Sequence, residues 1–162
     1  MLRTAVLLFA MATGSAATAG DLVFGLGGSK FSDDNGKNSP MFTLEYHGAA
    51  FGSLGRFYFM PAVGASVDGE GGAWVGIGVS TLAPIGSNGW FFEGSFMPGY
   101  YHAGDDRNDL GYDLEFRTLL GFGKRINDRN SISLAFDHKS NAHLGDHNPG
   151  VNNLSLRWRI NL

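Results

Sequence analysis

The chain has 162 residues, one domain's worth, of which 25 are glycine and 13% aromatic, while charged residues make up 17% against a usual ~25%. Glycine at that density, costing roughly 1 kcal/mol at each helix-interior position, argues against a helical bundle, and 43% apolar content argues against a disordered chain. A net charge of −3 removes the electrostatic case for a nucleic-acid partner, and the absence of cysteine excludes disulfide scaffolds, thiolate metal sites and cysteine nucleophiles.

Read in chain order, Met1 to Thr4 carry one positive charge ahead of an apolar run, and Ala17-Thr18-Ala19 supplies a small-residue cleavage pattern. Residues 1–19 therefore read as a secretory signal peptide and 20–162 as the mature domain. The apolar run falls far short of the ~20 residues of a membrane helix, and no later stretch is longer. From there on, apolar and polar residues alternate, broken by clusters of Gly, Asn, Asp and Pro. Eight strands are predicted, at 22–28, 41–47, 56–67, 73–82, 90–100, 112–123, 131–140 and 152–161. The connections at 48–55, 83–89 and 124–130 are compact, whereas those at 29–40, 102–111 and 141–151 are longer and rich in Asp, Asn and Gly; 68–72 breaks the alternation. Short turns at one end, long loops at the other and an even strand count predict an all-β chain, an eight-stranded antiparallel up-and-down transmembrane β-barrel in the bacterial outer membrane.

Side-chain parity agrees. In the last strand Leu154, Leu156, Trp158, Ile160 and Leu162 share one face, and Asn153, Ser155, Arg157, Arg159 and Asn161 the other. Glu45, Glu93, Asp113, Glu115 and Arg117 fall on the polar faces of their own strands. A soluble barrel would turn the apolar rows inward; a membrane barrel turns them to lipid and the charges to the lumen. The leader, the aromatic rows and the apolar final strand favour the membrane. Eight strands enclose an interior just wide enough for side chains, so the inward charges are expected to form a salt-bridge network, with any chemistry outside the lumen.

The seventh strand departs from this pattern. Ile132, Leu134 and Phe136 face lipid, and the same parity continues to His138 and Ser140, at the end of a strand that runs outward. Across the loop, Asn152 shares the parity of Leu154, which puts three polar side chains on the outer wall near the outer leaflet. Histidine serves as general base to serine when a third group fixes its tautomer. A His-x-Ser pair by itself also fits a strand leaving hydrocarbon for headgroups.

The segment Phe136-Asp137-His138-Lys139-Ser140-Asn141-Ala142, followed by Asn148-Pro149-Gly150 and a closing strand, resembles the C-terminal signature of the lipid A deacylase PagL family. The resemblance implies an eight-stranded barrel that removes the ester-linked 3-hydroxyacyl chain at position 3 of lipid A, with its catalytic groups on the outer face. It assigns Ser140 as nucleophile and His138 as base. It matches Asn141, whose side chain with the backbone N–H groups of Ala142 and His143 would form the oxyanion site, and Asn148, a second loop Asn of open role. Asn152 falls where the resemblance would place the triad Glu; either Asn152 orients the ring, or the loop carboxylate Asp146 does, or activity is weak or absent, while Asp137 has inward parity. The chemistry requires no cofactor. The partner implied is lipopolysaccharide in the outer leaflet, with a homodimer left open.

His143 and His147 have the i, i+4 spacing of a zinc pair, but Gly145 and Asn148-Pro149-Gly150 oppose the helix that such a pair needs, so no metal site is expected. The acidic tips Asp33-Asp34-Asn35-Gly36 and Asp105-Asp106-Arg107 lack calcium-loop spacing, and weak calcium bridging to lipopolysaccharide phosphates stays open. Gly25-Leu26-Gly27-Gly28 precedes no helix and is no phosphate cradle, and the sequon at Asn153 lies inside a predicted strand. Two other functions compete with the esterase: a non-catalytic small barrel serving adhesion or envelope integrity, and a lipid A acyltransferase using the same site.

Overall fold

Alternation of apolar and polar residues becomes nine strands: β1 (Asp21–Phe31), β2 (Ser39–His47), β3 (Gly52–Leu54), β4 (Phe57–Asp68), β5 (Ala73–Ile85), β6 (Trp90–His102), β7 (Leu114–Arg125), β8 (Asn130–Ser140) and β9 (Val151–Asn161). The structure is a computed structural model that describes residues 20–31 and 36–162, so the predicted leader at 1–19 and the Asp33-Asp34-Asn35 tip lie outside the described residues. The long strands pair antiparallel in succession. β1 also pairs with β9 from Asp21↔Asn161 to Phe31↔Val151, and β2 with β4 from Met41↔Asp68 to His47↔Ala62, which closes an eight-stranded barrel.

Two details differ from the sequence reading. β3 lies inside the connection 48–55 and continues the line of β2 along β4, from Gly52↔Phe59 to Leu54↔Phe57. Three residues are too few to carry a readable period. At the other end, Gly111 takes a φ of 86° and turns the chain, so Tyr112 and Asp113 belong to the loop rather than to β7. Asp113 is consequently exposed instead of facing the lumen.

The wall alternates residue by residue, as in β2, where odd positions from Ser39 to His47 are buried and even ones exposed. Outward rows include Leu26, Ile77, Leu120, Leu134 and Leu156, with Tyr46, Phe92, Phe122 and Trp158 among them, all exposed. An apolar exterior on every strand is far larger than a soluble protein leaves in water, and it fits hydrocarbon. The inward rows meet as an ionic core: Glu45 Oε1 binds Arg117 at 2.8 Å and Arg157 at 2.7 Å, Glu45 Oε2 binds His47 at 2.8 Å, and Glu93 binds Arg157 at 3.2 Å and Arg159 at 2.8 Å. Toward the long loops the filling turns apolar, with Trp74, Met97, Tyr101, Leu110 and Val151 in one cluster. Arg117 caps the Trp74 ring, 5.0 Å from its centroid. A lumen packed in this way with an apolar outer surface is the build of an outer-membrane barrel.

The long loops are tied together above the wall. Lys37 Nζ reaches Asp105 at 2.9 Å and Glu70 at 3.0 Å, its backbone N–H donates to Asn108 Oδ1 at 2.7 Å, and Arg107 grips Asp105 at 3.0 Å. Hydrogen bonds from Arg107 and Lys37 hold the Asp105 carboxyl well below the usual carboxylate range, and the Asp105 and Glu70 carboxylates raise Lys37.

Candidate active site

His138 and Ser140 stand on the outer wall at the top of β8, half-buried, above the exposed Phe136. Residues two apart on a strand point to the same face about 7 Å apart. Asn152 on β9 is directly opposite His138 in the ladder, and its Oδ1 lies 2.8 Å from His138 Nδ1. With that oxygen as acceptor, Nδ1 carries the ring proton and Nε2 is left bare, the tautomer a general base requires. Nε2 and Ser140 Oγ are not hydrogen-bonded in this conformation; such contacts tighten when substrate is in place. The structure thus brings His138, Ser140 and Asn152 to one face. Asp146 is exposed in the loop and Asp137 is buried in the lumen, where it accepts from Asn153 at 2.7 Å.

The turn after Ser140 is built around Asn141, which is fully buried. Its Nδ2 donates to the carbonyls of Leu110 at 2.7 Å and His147 at 2.8 Å, its Oδ1 accepts from the His143 N–H at 2.8 Å, and its own N–H donates to Asn148 Oδ1 at 3.0 Å. Both amide hydrogens of Nδ2 are used, so the Asn141 side chain has no donor left for an oxyanion, contrary to the sequence expectation. The His143 N–H is committed as well. Of the expected donors, the Ala142 N–H has no backbone or side-chain acceptor among the described residues. Asn148 gains a defined place, securing the residue next to Ser140.

The local backbone is strained. Ala142 and His143 have φ of 53° and 63°, and Leu144 N–H closes the turn on the Asn141 carbonyl at 3.1 Å. Consecutive non-glycine residues in the left-handed region are unusual and cost free energy that the Asn141 bonds offset. Residues 141–150 form turns rather than a helix, so His143 and His147 do not share a helix face. Gly150, quoted in the sequence motif without a role, has a φ of 70°, and a Cβ there would lie 2.8 Å from His138 Cε1. It lets the chain pass close behind the imidazole.

Below the site, toward the membrane centre, an apolar groove of about 520 Å³ runs down the wall between Phe92, Leu120, Phe122, Leu134, Phe136 and Leu154. On the β7 side, Phe116 pairs with Ser140 in the ladder and stacks on Phe96, ring centroids 5.9 Å apart. The arrangement puts a serine, a histidine of defined tautomer and a lipid-facing groove on one stretch of outer wall.

The family model described as lipid A 3-O-deacylase (PagL) matches residues 41–161, which include all of these side chains. No curated protein matches the chain in sequence. Among solved structures, the outer membrane enzyme PagL is similar with a TM-score of 0.72 at 18% identity, over 88% of this chain and 99% of that one. The attachment invasion locus protein Ail of Yersinia pestis gives 0.56 at 10% identity over 89% and 98%, and Neisserial surface protein A gives 0.53 at 9% over 89% and 96%. Identities this low speak for the shared barrel alone. The family rests on the sequence match across 41–161, and by it the chain belongs to the lipid A 3-O-deacylase (PagL) family of outer-membrane enzymes.

Proposed function

We propose that the protein is an esterase that removes the ester-linked 3-hydroxyacyl chain at position 3 of lipid A, from the lipid-facing side of the barrel. The observation that carries the reading is the 2.8 Å bond from His138 to Asn152, which leaves Nε2 bare on the face that also presents Ser140. In this mechanism Nε2 takes the Ser140 hydroxyl proton as Oγ attacks the ester carbonyl. The Ala142 N–H donates to the oxyanion that forms. Collapse of the tetrahedral intermediate expels the glucosamine 3-hydroxyl, which takes the proton from His138 and leaves an acyl-serine. Water, deprotonated by the same histidine, then releases the 3-hydroxy fatty acid and restores Ser140.

The groove supports the substrate class. A chain lying against Phe136, Leu134 and Leu120 stays in an apolar environment while its ester end reaches the height of Ser140, so the substrate need not leave the bilayer. Asn141 acts here as a positioning residue that holds the turn after the nucleophile.

The test is conversion of purified lipid A in detergent micelles by the wild type and Ser140→Ala. Release of one 3-hydroxy fatty acid per lipid by the wild type, with none from the variant, is the expected outcome. Equal release by both, or none by either, would contradict it.

A further inference from the structure

The outer-wall row that contains the site does not end at Asn152. On the next strand, Lys30 of β1 is the ladder partner of Asn152, as Asn152 is of His138. Lys30 has the parity of Leu26 and Gly28, all exposed, so it points to the same outer face. With adjacent strands 4.7–4.9 Å apart, the Lys30 and His138 backbones are about 10 Å apart across β9. One step lower on that face Gly28 pairs with Leu154, and two steps lower Leu26 pairs with Leu156, so the wall there faces hydrocarbon. Lys30 and Asn152 therefore lie together where the wall passes from acyl chains to headgroups.

The charge setting of Lys30 is distinctive. The other cations at this end are committed: Lys37 to Asp105 and Glu70, Arg107 to Asp105, and Lys139 to the lumen, 3.8 Å from Asp137. The exposed rim is otherwise acidic, with Asp106, Asp109, Asp113 and Asp146. Among the described residues Lys30 is the outward cation at this end without an ion-pair partner. Among the described residues, an anionic headgroup approaching the wall meets carboxylates along the rim and one outward cation without an ion-pair partner, which adjoins Asn152.

We propose that Lys30 binds a phosphate monoester of the lipid substrate's glucosamine headgroup and so fixes which ester reaches Ser140. The inference rests on the esterase reading of the same wall. The ammonium reaches the headgroup layer on its flexible stem while the stem lies along apolar surface. Phosphate on the β1 side and acyl chain in the groove under β7 and β8 would pin the lipid at two ends, with the ester between them. Lys30 is a specificity residue in this scheme and takes no part in proton transfer.

Binding separates this proposal from the esterase reading. The Ser140→Ala protein, in neutral-detergent micelles where the substrate carries the only phosphate, is titrated with lipid A and with enzymatically dephosphorylated lipid A. Adding Lys30→Gln should weaken binding of the phosphorylated lipid about five-fold, Lys30→Glu more, and Lys30→Arg little, with the dephosphorylated lipid bound equally by all. Raising salt should erase the difference. In the Ser140-intact protein, Lys30→Gln should raise KM on the phosphorylated lipid and leave kcat unchanged. Equal binding of phosphorylated lipid with and without Lys30→Gln would overturn the proposal, as would failure of Ser140→Ala to distinguish the two lipids. If the binding pattern holds but the wild type releases no fatty acid, the esterase reading falls and the phosphate subsite stands.

Discussion

Asn152 holds the His138 ring as a carboxylate would, but in the proposed mechanism it cannot neutralise the imidazolium that forms when Ser140 gives up its proton. Asn152→Asp should therefore raise kcat by about ten-fold, because a carboxylate keeps the tautomer-fixing bond that the amide already makes and adds a counter-charge for the imidazolium. Fatty-acid release from lipid A measures this, and a slower Asn152→Asp enzyme would show that the amide is tuned to this site. Asn152→Ala should lower kcat by removing the hydrogen bond that fixes the tautomer. Gly150→Ala adds a Cβ 2.8 Å from His138 Cε1 at a φ of 70°, so the imidazole has to shift. Because a 1 Å misplacement can cost ~10²-fold, kcat should fall by one to two orders of magnitude while the barrel still folds, as its unchanged gel mobility would report.

At the scale of elements, the site is a seam between the ends of β8 and β9 and two loops. Which face His138 and Ser140 occupy was legible in the sequence because a strand has period two, and Ile132, Leu134 and Phe136 before them share their parity. The work of Asn141 was not legible, since its partner Leu110 is 31 residues away in another loop and the contact depends on how the two loops fold over the barrel mouth. β3 escaped for the opposite reason, being too short to show any alternation. The loop clasp at Lys37 carries its own prediction. Asp105, with its pKa depressed, contributes while pH stays above the usual carboxylate range, and that contribution is lost as pH falls through its lower folded value. Lys37, with its pKa raised, contributes fully below the ordinary lysine value and loses it only as pH rises through its higher folded one. Protease protection of the loops should accordingly be flat through neutral pH and drop in strong acid and in strong alkali. Lys37→Ala should lower it at every pH.

For the whole molecule, the proposed division of labour is between a lumen that holds the barrel shut and an outer wall that carries the chemistry. Glu45 neutralises Arg117 and Arg157 together, so Glu45→Gln strips the buried Arg117 of its carboxylate and leaves Arg157 with Glu93 alone. A loss of about 3–5 kcal/mol is expected, seen as a lower urea midpoint for unfolding in micelles. Composition and strand rhythm were enough to read the barrel, its polarity and its closed lumen, because each follows from half of every strand facing hydrocarbon. The glycines at 111 and 150 were visible only as letters, since their roles lie in close approaches between segments distant in the fold. The proposed deacylation of lipid A at the outer wall can be read in a living membrane. The protein and its Ser140→Ala variant are expressed in a Gram-negative host, and the lipid A is weighed by mass spectrometry. Loss of one 3-hydroxyacyl mass is expected with the wild type and none with the variant; unchanged lipid A with both, or a gain in mass, would overturn the esterase reading.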